Sequence, residues 1–96
     1  MRKKEILAWA EPKGLLNPQL APQQFMKLSE EVGELANAIL KGNKIEQIDA
    51  LGDIKVVITI LAEQLGFDID ECEEIAYQEI KNRTGVTKNG TFIRNK

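Results

Sequence analysis

The dipeptide Gly42-Asn43 separates two long stretches with helical spacing of apolar residues, and it constrains the fold more than any other feature. Glycine commonly ends a helix in the left-handed conformation. Asn43 followed by Glu46 matches a capping box, which opens the next helix. Because the connection is so short, the second of these helices has to fold back antiparallel against the first. We therefore expect an antiparallel helix pair at the centre of an all-α fold.

Similar signals predict two further helices and a tail around this pair. The predicted helices cover about Lys3 to Ala10, Pro22 to Lys41, Asn43 to Leu65, and Asp68 to a point near 83–85. Glu11-Pro12 ends the first helix, and the loop KGLLNPQLAP follows it. Asn89-Gly90, between β-prone residues, predicts a small C-terminal hairpin or extended arm.

The length of 96 residues fits one domain, so we expect residues 1–96 to form a single unit. A chain this short buries only about 60–65% of its unfolded surface, which makes a lone core marginal. Its single cysteine, Cys72, excludes an intrachain disulfide and a cysteine-rich zinc site. We therefore expect self-association to complete the fold.

Charge and hydropathy exclude several classes of function. With 13 basic and 15 acidic residues, the net charge of −2 argues against a binder of DNA or RNA polymers, which usually carries a basic surplus. The apolar run VVITILA is far shorter than the roughly 20 residues of a membrane span. The N-terminus lacks the long apolar run and the cleavage site of a signal peptide. These features predict a cytoplasmic protein with no membrane contact.

The second predicted helix combines an apolar stripe with several charged residues. At about 100° per residue, one stripe collects Phe25, Leu28, Val32, Leu35 and Ile39, the expected core face. Glu31 lies at the edge of this stripe, and Glu34 and Lys27 lie just beyond it on the same side. Glu30 and Lys41 point further toward solvent. The spacing of three residues lets Glu31 and Glu34 converge.

The third predicted helix carries its acids on an apolar face. Glu46, Asp49 and Asp53 share a face with Val56, Val57 and Ile60. Lys55 and Thr59 fall on the opposite side, where we expect solvent. A half-buried carboxylate is costly unless it is paired or bound to metal. Since the two helices fold against each other, the acids of both are expected to face one another.

This arrangement predicts an oxygen-only site for a divalent cation. The chain has no histidine and only one thiol, so carboxylates are the available ligands, and these suit Mg²⁺ or Mn²⁺. Less specific roles stay open for several residues. Glu46 fits a capping box, Glu30 an ordinary solvated acid, Lys27 with Glu31 a helix-surface ion pair, and Trp9 a packing residue.

The segments KLSEEVGEL and IDALGDIKVVITILAEQLG together resemble the MazG-like all-α nucleoside triphosphate pyrophosphohydrolases, especially the small single-domain forms of bacteria and phages. The resemblance covers nearly the whole chain. It includes Trp9, Gln24, the segment AYQEIKNRTG and the tail NGTFI. The glutamate-rich helix alone is a weak signal, but the acidic helix that follows it at short range makes the match fairly specific.

The resemblance implies hydrolysis of a nucleoside triphosphate between its α- and β-phosphates, with Mg²⁺ held by the EExxE and ExxD motifs. Glu31 and Glu34 match the ligands of the first motif, and Asp53 matches the final acid of the second. The chain departs from the family at Ala50, where the ExxD pattern places glutamate. Asp49 is the natural substitute, because positions four apart share a helix face.

Further roles follow from the chemistry and from the resemblance together. Glu30 or Glu34 is the candidate to orient or deprotonate the attacking water. Lys27, Lys81 and Arg83 are candidates to bind phosphate oxygens, and Trp9 to stack on the base. The resemblance also implies a dimer or tetramer. The alternative is a non-catalytic helical module that binds nucleotides or proteins; a di-iron bundle fits worse, because the chain lacks histidine.

Overall fold

The computed structural model describes residues 2–95, which form four α-helices and a C-terminal hairpin. The elements are α1 (Lys3–Ala10), α2 (Ala21–Lys41), α3 (Lys44–Gln64), α4 (Ile69–Ile80), β1 (Gly85–Lys88) and β2 (Thr91–Arg94). Two short 3-10 turns, Glu11–Lys13 and Pro18–Leu20, occupy the loop before α2. The all-α prediction is confirmed, although α4 ends earlier than expected. Within these residues no helix is long and apolar enough to cross a membrane.

The turn between α2 and α3 has the geometry that its sequence indicates. Gly42 adopts the left-handed conformation (φ 67°), and its N–H donates to the Ile39 carbonyl at 3.1 Å. The Asn43 side chain accepts a hydrogen bond from the Glu46 N–H at 3.0 Å, so Asn43 caps α3. The Glu46 carboxylate lies 3.6 Å from the Lys41 ammonium. Since these contacts close the turn, α2 and α3 pack closely along their length, as predicted.

The seam between α2 and α3 differs from the predicted core face. Its α2 side is Leu28, Glu31, Leu35 and Ala38, and its α3 side includes Ala50, Ile54, Val57 and Leu61. Phe25, Val32 and Ile39, predicted to be core residues, are each more than half exposed. The predicted stripe was centred on the apolar residues alone, whereas the helix is rotated so that Glu31 and Ala38 enter the seam. The prediction for these three residues was therefore wrong for the single chain.

Exposed apolar side chains form one continuous flank beside the seam. We call Phe25, Val32 and Ile39 of α2, with Leu51 and Leu65 of α3, the apolar flank. Because α2 and α3 run antiparallel, residues that are rotated in the same direction from the seam about their own helix axis lie on the same side of the pair. Val32 follows the seam residue Glu31 by one position, as Leu51 follows the seam residue Ala50. The acids are rotated from the seam in the other direction, so they lie on the side of the helix pair opposite the apolar flank.

The chain exposes more surface than a compact monomer of its size. Its accessible surface is 7469 Å² at a mass of 10.8 kDa. A folded monomer of that mass is expected to expose about 5,500 Å². The radius of gyration is 16.1 Å, against about 12.5 Å for a compact domain of this length. The excess surface matches what one subunit buries in a large homodimer interface.

Helix α1 covers the outer side of α3, and this corrects one prediction. Thr59, expected in solvent, is 2% exposed, and its hydroxyl donates to the Lys55 carbonyl at 2.7 Å. Lys3 and Ile6 of α1 lie beside Thr59 and line the same surface groove. Helical periodicity within α3 does not show that α1 packs there. A hydroxyl tolerates this burial because the preceding turn accepts its hydrogen bond.

Lys3 joins the start of the chain to the start of α4. Its ammonium donates to both oxygens of Asp68 at 2.9 and 3.0 Å and lies 3.0 Å from the Asp70 carboxylate. Asp68 also caps α4 by accepting from the Asp70 N–H at 2.9 Å. The Lys3 hydrogen bond, and then that backbone bond, lower the pKa of Asp68. The hydrogen bonds of Lys3 to Asp68 and then to Asp70 raise the pKa of Lys3.

The Lys3→Met variant is expected to lose stability at neutral pH and to lose less on acidification than the parent. A carboxyl with a lowered folded pKa contributes stability above its unfolded pKa of 3.8, and loses it as pH falls through the folded value. Removing Lys3 removes most of this contribution. The measurement is Tm at several pH values between 7 and 2. Lys4→Met is the matched control. An equal fall of Tm between pH 7 and pH 2 in both variants would contradict the prediction.

Gly33, at the middle of α2, offers a test of the helix itself. An added Cβ at this position meets no atom within 4 Å. Replacement of Gly33 by alanine is therefore expected to stabilise the protein by about 0.5–1 kcal/mol, since glycine weakens a helix interior. Gly42→Ala should instead destabilise it, because Gly42 has positive φ. Denaturant unfolding of both variants checks the opposite signs.

The C-terminal hairpin confirms the predicted tail. Gly85 pairs with Arg94 and Val86 with Ile93 in antiparallel register. Asn89 and Gly90 both have positive φ, 51° and 78°, which suits the two central residues of a tight hairpin turn. All side chains of β2 are exposed. The hairpin therefore forms from local signals and contributes no core to the helices.

Candidate functional site

An acid cleft of about 380 Å³ opens between α2 and α3 on the side opposite the apolar flank. The residues that line its α2 wall are three or four positions apart, because such positions share a helix face, and the same spacing occurs on its α3 wall. The lining residues are Glu34, Asn37, Lys41, Glu46, Asp49, Ala50 and Asp53. The two predicted acid groups therefore do face each other across one gap.

An apolar pocket of about 510 Å³ adjoins the acid cleft along the same side of the helix pair. Its lining residues are Trp9, Leu15, Leu20, Gln23, Gln24, Lys27, Glu31, Asp53, Val56, Val57 and Ile60. Asp53 lines both the pocket and the cleft. The combined site therefore has an acidic end and an apolar end joined at one carboxylate.

Hydrogen bonds from buried or half-buried glutamines fix the walls of the apolar pocket. The Gln64 side chain is 3% exposed and donates to the Leu15 carbonyl at 2.6 Å, which holds the loop before α2 against α3. The Gln24 amide donates to the Val57 carbonyl at 3.3 Å across the seam. These bonds join segments distant in sequence, so the pocket belongs to the folded core and not to a mobile surface.

Trp9 forms one side of the apolar pocket and has a cation on one ring face. The Lys13 ammonium lies 4.3 Å from the ring centroid and donates to the Trp9 carbonyl at 3.1 Å. A cation at this distance is attracted by the electrons of the ring face. Trp9 is 53% exposed, so its indole is accessible to a flat ligand.

Glu31 is a buried carboxylate in the seam. Its side chain is 6% exposed, and one oxygen lies 3.4 Å from the Lys27 ammonium. The other oxygen is buried, and within residues 2–95 no N–H or ammonium group donates a hydrogen bond to it. Burial of an unsatisfied carboxylate oxygen is costly, so a hydrogen-bond donor or a cation at this atom would offset the loss of water.

The proximity of Glu31 and Glu34 raises the pKa of Glu34. The main cause is a hydrogen bond with Glu31, followed by the charge of Glu31 and by loss of solvent; Lys27 acts in the opposite direction. Two ionised carboxylates only accept hydrogen bonds, so this contact bonds only when one of them carries a proton. The pair therefore favours a shared proton or a cation between its oxygens.

The side chains present fit a hard divalent cation. Within residues 2–95, no three acidic or thiol side chains already converge as a formed metal cluster. However, Glu34 lines the acid cleft, Glu31 with its unsatisfied oxygen lines the adjoining pocket, and Asp53 on the facing helix lines both. Carboxylates with room for water match the coordination that Mg²⁺ and Mn²⁺ prefer. The site therefore has suitable ligands.

The structure brings together most of the predicted site residues and separates others. Those at the cleft or the pocket are Glu31, Glu34, Asp49, Asp53, Lys27 and Trp9. Glu30 is exposed and lines neither. Lys81 follows the end of α4, and Arg83 lines a separate cleft beside the hairpin. In a single chain, Lys81 and Arg83 are therefore not part of the acidic site.

Sequence reasoning missed several residues that line the site. Lys41, placed toward solvent by the sequence, lines the acid cleft and lies 3.6 Å from Glu46. Asn37 lies between Glu34 and Lys41 on the same row, and the spacing of three and four residues is the signal that would have identified it. Leu15 and Leu20 come from the loop, where no periodic pattern indicates which side chains turn inward.

The model of the phosphoribosyl-ATP pyrophosphohydrolase family matches residues 8–79, which include Trp9, both seam helices and nearly all of α4. The chain belongs to this family. The phosphoribosyl-ATP pyrophosphohydrolase family lies within the MazG-like all-α superfamily, so the resemblance found in the sequence is confirmed. Membership points to chemistry of the pyrophosphohydrolase type. The matched region covers every residue that lines the acid cleft and the apolar pocket.

Two curated viral relatives are similar to the chain. An uncharacterized 18.2 kDa protein of Haemophilus phage HP1, from the rep-hol intergenic region, is 44% identical over 66 residues, or 68% of this chain and 40% of that protein. The uncharacterized protein L479 of Acanthamoeba polyphaga mimivirus is 32% identical over 79 residues, or 76% of this chain and 32% of that protein. The matches thus span well under half of either relative. No solved structure matches the chain significantly.

Proposed function

We propose that the protein is a divalent-cation-dependent nucleoside triphosphate pyrophosphohydrolase, which releases the nucleoside monophosphate and pyrophosphate. The supporting observation is that Asp53 lines both the acid cleft and the apolar pocket. A nucleotide has the matching form, because its base is flat and largely apolar while its phosphates require cations. Membership of a pyrophosphohydrolase family supports this class of substrate.

Each part of the site has a role in this proposal. The base occupies the apolar pocket beside Trp9, and the phosphates extend into the acid cleft. Glu31, Glu34, Asp49 and Asp53 are the carboxylates that hold Mg²⁺ or Mn²⁺. When bound, such a cation neutralises phosphate charge and lowers the pKa of a coordinated water. Lys27, at the junction of pocket and seam, binds a phosphate oxygen as a point charge.

The reaction is a hydrolysis that the chain's own carboxylates assist. A water oxygen forms a bond to phosphorus, the α–β anhydride bond breaks, and pyrophosphate leaves with the electrons of that bond. Glu34 is the better acceptor for the water proton, because it lines the cleft into which the phosphates extend. Glu30 lines neither the cleft nor the pocket, which makes it the weaker candidate.

The proposed enzyme works as a homo-oligomer, a dimer or tetramer of one domain spanning residues 1–96. The apolar flank and the surface excess support this assembly, because a second copy is the partner that a self-complementary flank accepts. Large homodimer interfaces bury about 1,000–2,500 Å² on each subunit, and the excess surface of the chain lies within that range.

The direct test is a panel of substrates assayed for both products. Purified protein is incubated with Mg²⁺ or Mn²⁺ and with canonical and modified nucleoside triphosphates; phosphoribosyl-ATP is included because the family carries its name. We expect equal amounts of monophosphate and pyrophosphate from at least one of them, and loss of both products in Glu31→Gln. Release of inorganic phosphate instead, or activity unchanged by Glu31→Gln, would contradict the proposal.

One observation favours a second function, that of a nucleotide-binding module without turnover. Ala50 occupies the position where the family motif places glutamate, and it is 3% exposed in the seam. If Asp49 does not replace that glutamate, the site lacks one ligand but keeps its pocket. Cation-dependent nucleotide binding by calorimetry, without products in the same panel, would identify this second function.

A further inference from the structure

The apolar pocket and the acid cleft follow each other in order along both paired helices. On α2 the pocket is lined by positions 23–31 and the cleft by positions 34–41. On α3, which runs in the opposite direction, the pocket is lined by positions 53–60 and the cleft by positions 46–53. The combined site is therefore linear, with the apolar pocket at one end and the turn between α2 and α3 at the other.

The length of the acid cleft suits a whole triphosphate chain. Glu34 and Lys41 are seven positions apart on α2, and so are Asp53 and Glu46 on α3. Seven positions span about 10 Å of helix. A nucleotide with its base in the apolar pocket therefore has its first phosphate beside Glu34 and Asp53 and its last phosphate close to the turn.

Hydrogen-bond donors line the α2 wall of the cleft at its turn end. Among the cleft residues that the structure describes, Lys41 is the single cation. Asn37 lies four positions before it on the same row, and within residues 2–95 its amide has no hydrogen-bond partner. Ammonium and amide N–H groups both donate to phosphate oxygens. The turn end of the cleft therefore suits an anion, whereas the acids at the pocket end suit a cation.

The ion pair between Lys41 and Glu46 is weak enough to be exchanged for a phosphate. The ammonium lies 3.6 Å from the carboxylate, and the two side chains are 61% and 48% exposed. Ion pairs this exposed contribute little to stability. The cap of α3 does not depend on the pair, because Asn43 accepts its hydrogen bond from the Glu46 main-chain N–H. Lys41 can therefore leave Glu46 without loss of the turn.

We infer that Lys41, together with Asn37, binds the terminal phosphates of the substrate and so holds the pyrophosphate that leaves. This inference rests on the proposed function and adds to it the direction in which the nucleotide lies. When the α–β anhydride bond breaks, its electrons pass to the oxygen that departs with pyrophosphate. The Lys41 ammonium neutralises part of the charge on this leaving group and keeps its own proton.

The test compares the two reaction products as ligands, so it has a readout besides turnover. Calorimetry with Mg²⁺ measures the Kd of pyrophosphate and that of the nucleoside monophosphate formed from the best substrate of the panel. In Lys41→Met, which removes the charge, the Kd of pyrophosphate is expected to rise about tenfold, because a charge-assisted hydrogen bond is lost. The Kd of the monophosphate should stay the same, since that product lies at the pocket end. The value of kcat/KM for the triphosphate should fall by a similar factor.

Glu46→Gln and Lys44→Met are the matched controls. Glu46→Gln breaks the same ion pair, yet it should lower the Kd of pyrophosphate, because it removes a negative charge that repels phosphate and competes for Lys41. A role of the pair in stability alone would shift both variants in the same direction. Lys44 is an exposed lysine that lines neither the cleft nor the pocket, so Lys44→Met should leave both Kd values unchanged.

Each outcome has a distinct meaning. Opposite shifts in Lys41→Met and Glu46→Gln that are confined to pyrophosphate would support the assignment of Lys41. Unchanged pyrophosphate binding in Lys41→Met, or an equal loss of both products, would overturn this assignment and leave the pyrophosphohydrolase proposal in place. Weaker binding of the monophosphate alone would show that the nucleotide lies the other way round, which also overturns it. A parent protein that releases no pyrophosphate from any substrate would overturn the proposed function and this inference with it.

Discussion

Asp53→Asn is expected to lower kcat/KM for nucleoside triphosphate hydrolysis by about a hundredfold or more, because it removes charge from the carboxylate shared by the cation site and the apolar pocket. Asparagine keeps the shape of the side chain and one oxygen, but it is a much weaker ligand for Mg²⁺. Raising the Mg²⁺ or Mn²⁺ concentration should therefore restore part of the activity. The measurement is pyrophosphate release against cation concentration.

Glu63→Gln is the matched control for Asp53→Asn. Glu63 is an exposed acid on α3 that lines neither the cleft nor the pocket. The two variants change charge equally, so a general electrostatic effect would affect both. Melting temperature is measured alongside, because Asp53 is exposed in the single chain and its replacement should leave stability unchanged. Equal activity in the two variants would remove Asp53 from the proposed cation site.

Val32→Glu is expected to dissociate the oligomer. Val32 lies at the centre of the α2 row of the apolar flank and is 51% exposed in the single chain. Burying it against a second copy contributes about 1.5 kcal/mol or more, and a glutamate in its place adds the cost of a desolvated charge. Because a two-fold interface repeats each contact, the loss in association free energy counts twice per dimer.

Sedimentation equilibrium measures this effect directly. The parent is expected to sediment as a dimer or tetramer, and the Val32→Glu variant as a 10.8 kDa monomer with a lower melting temperature. Leu40→Glu is the control, because Leu40 is 85% exposed on the side of α2 that faces away from the seam. A Val32→Glu protein with unchanged mass would show that the apolar flank is not the subunit interface.

Local signals predicted the helix bounds well because their causes are local. The left-handed Gly42, the Asn43 cap and the Asn89-Gly90 turn each act within a few residues. The end of α4 was less well predicted, because no glycine or proline stops the helix before Gly85. Lys81 to Thr84 instead lead directly into β1.

Burial was harder to predict because it depends on which elements meet. Helical periodicity identified the apolar row of Phe25, Val32 and Ile39, but it did not show that this row lies outside the seam of the single chain. Thr59 is buried since α1 packs over it, and nothing within α3 indicates α1. The acids of α2 and α3 were placed correctly, since a short turn between antiparallel helices fixes which faces meet.

The same difference holds for the candidate site residues: the positions of those on the paired helices were predictable, and the positions of the others were not. Glu31, Glu34, Asp49 and Asp53 lie on the paired helices, so their proximity followed from helix geometry and the turn. Arg83 lies between α4 and the hairpin, where no helical pattern in the sequence predicts the position of the side chain. The loop residues that wall the apolar pocket are positioned by the Gln64 hydrogen bond, a tertiary contact.

The loop anchored at Leu15 is a separate part of the chain from the helices that carry the acids. The acids proposed to perform the chemistry lie on the paired helices. Leu15 and Leu20 belong to a loop that the Gln64 side chain holds to α3 through a main-chain carbonyl. A main-chain acceptor survives any substitution of the side chain that carries it. If the proposed function holds, side chains in this loop can change during evolution, and with them the preferred nucleotide, while the acids on the paired helices stay unchanged.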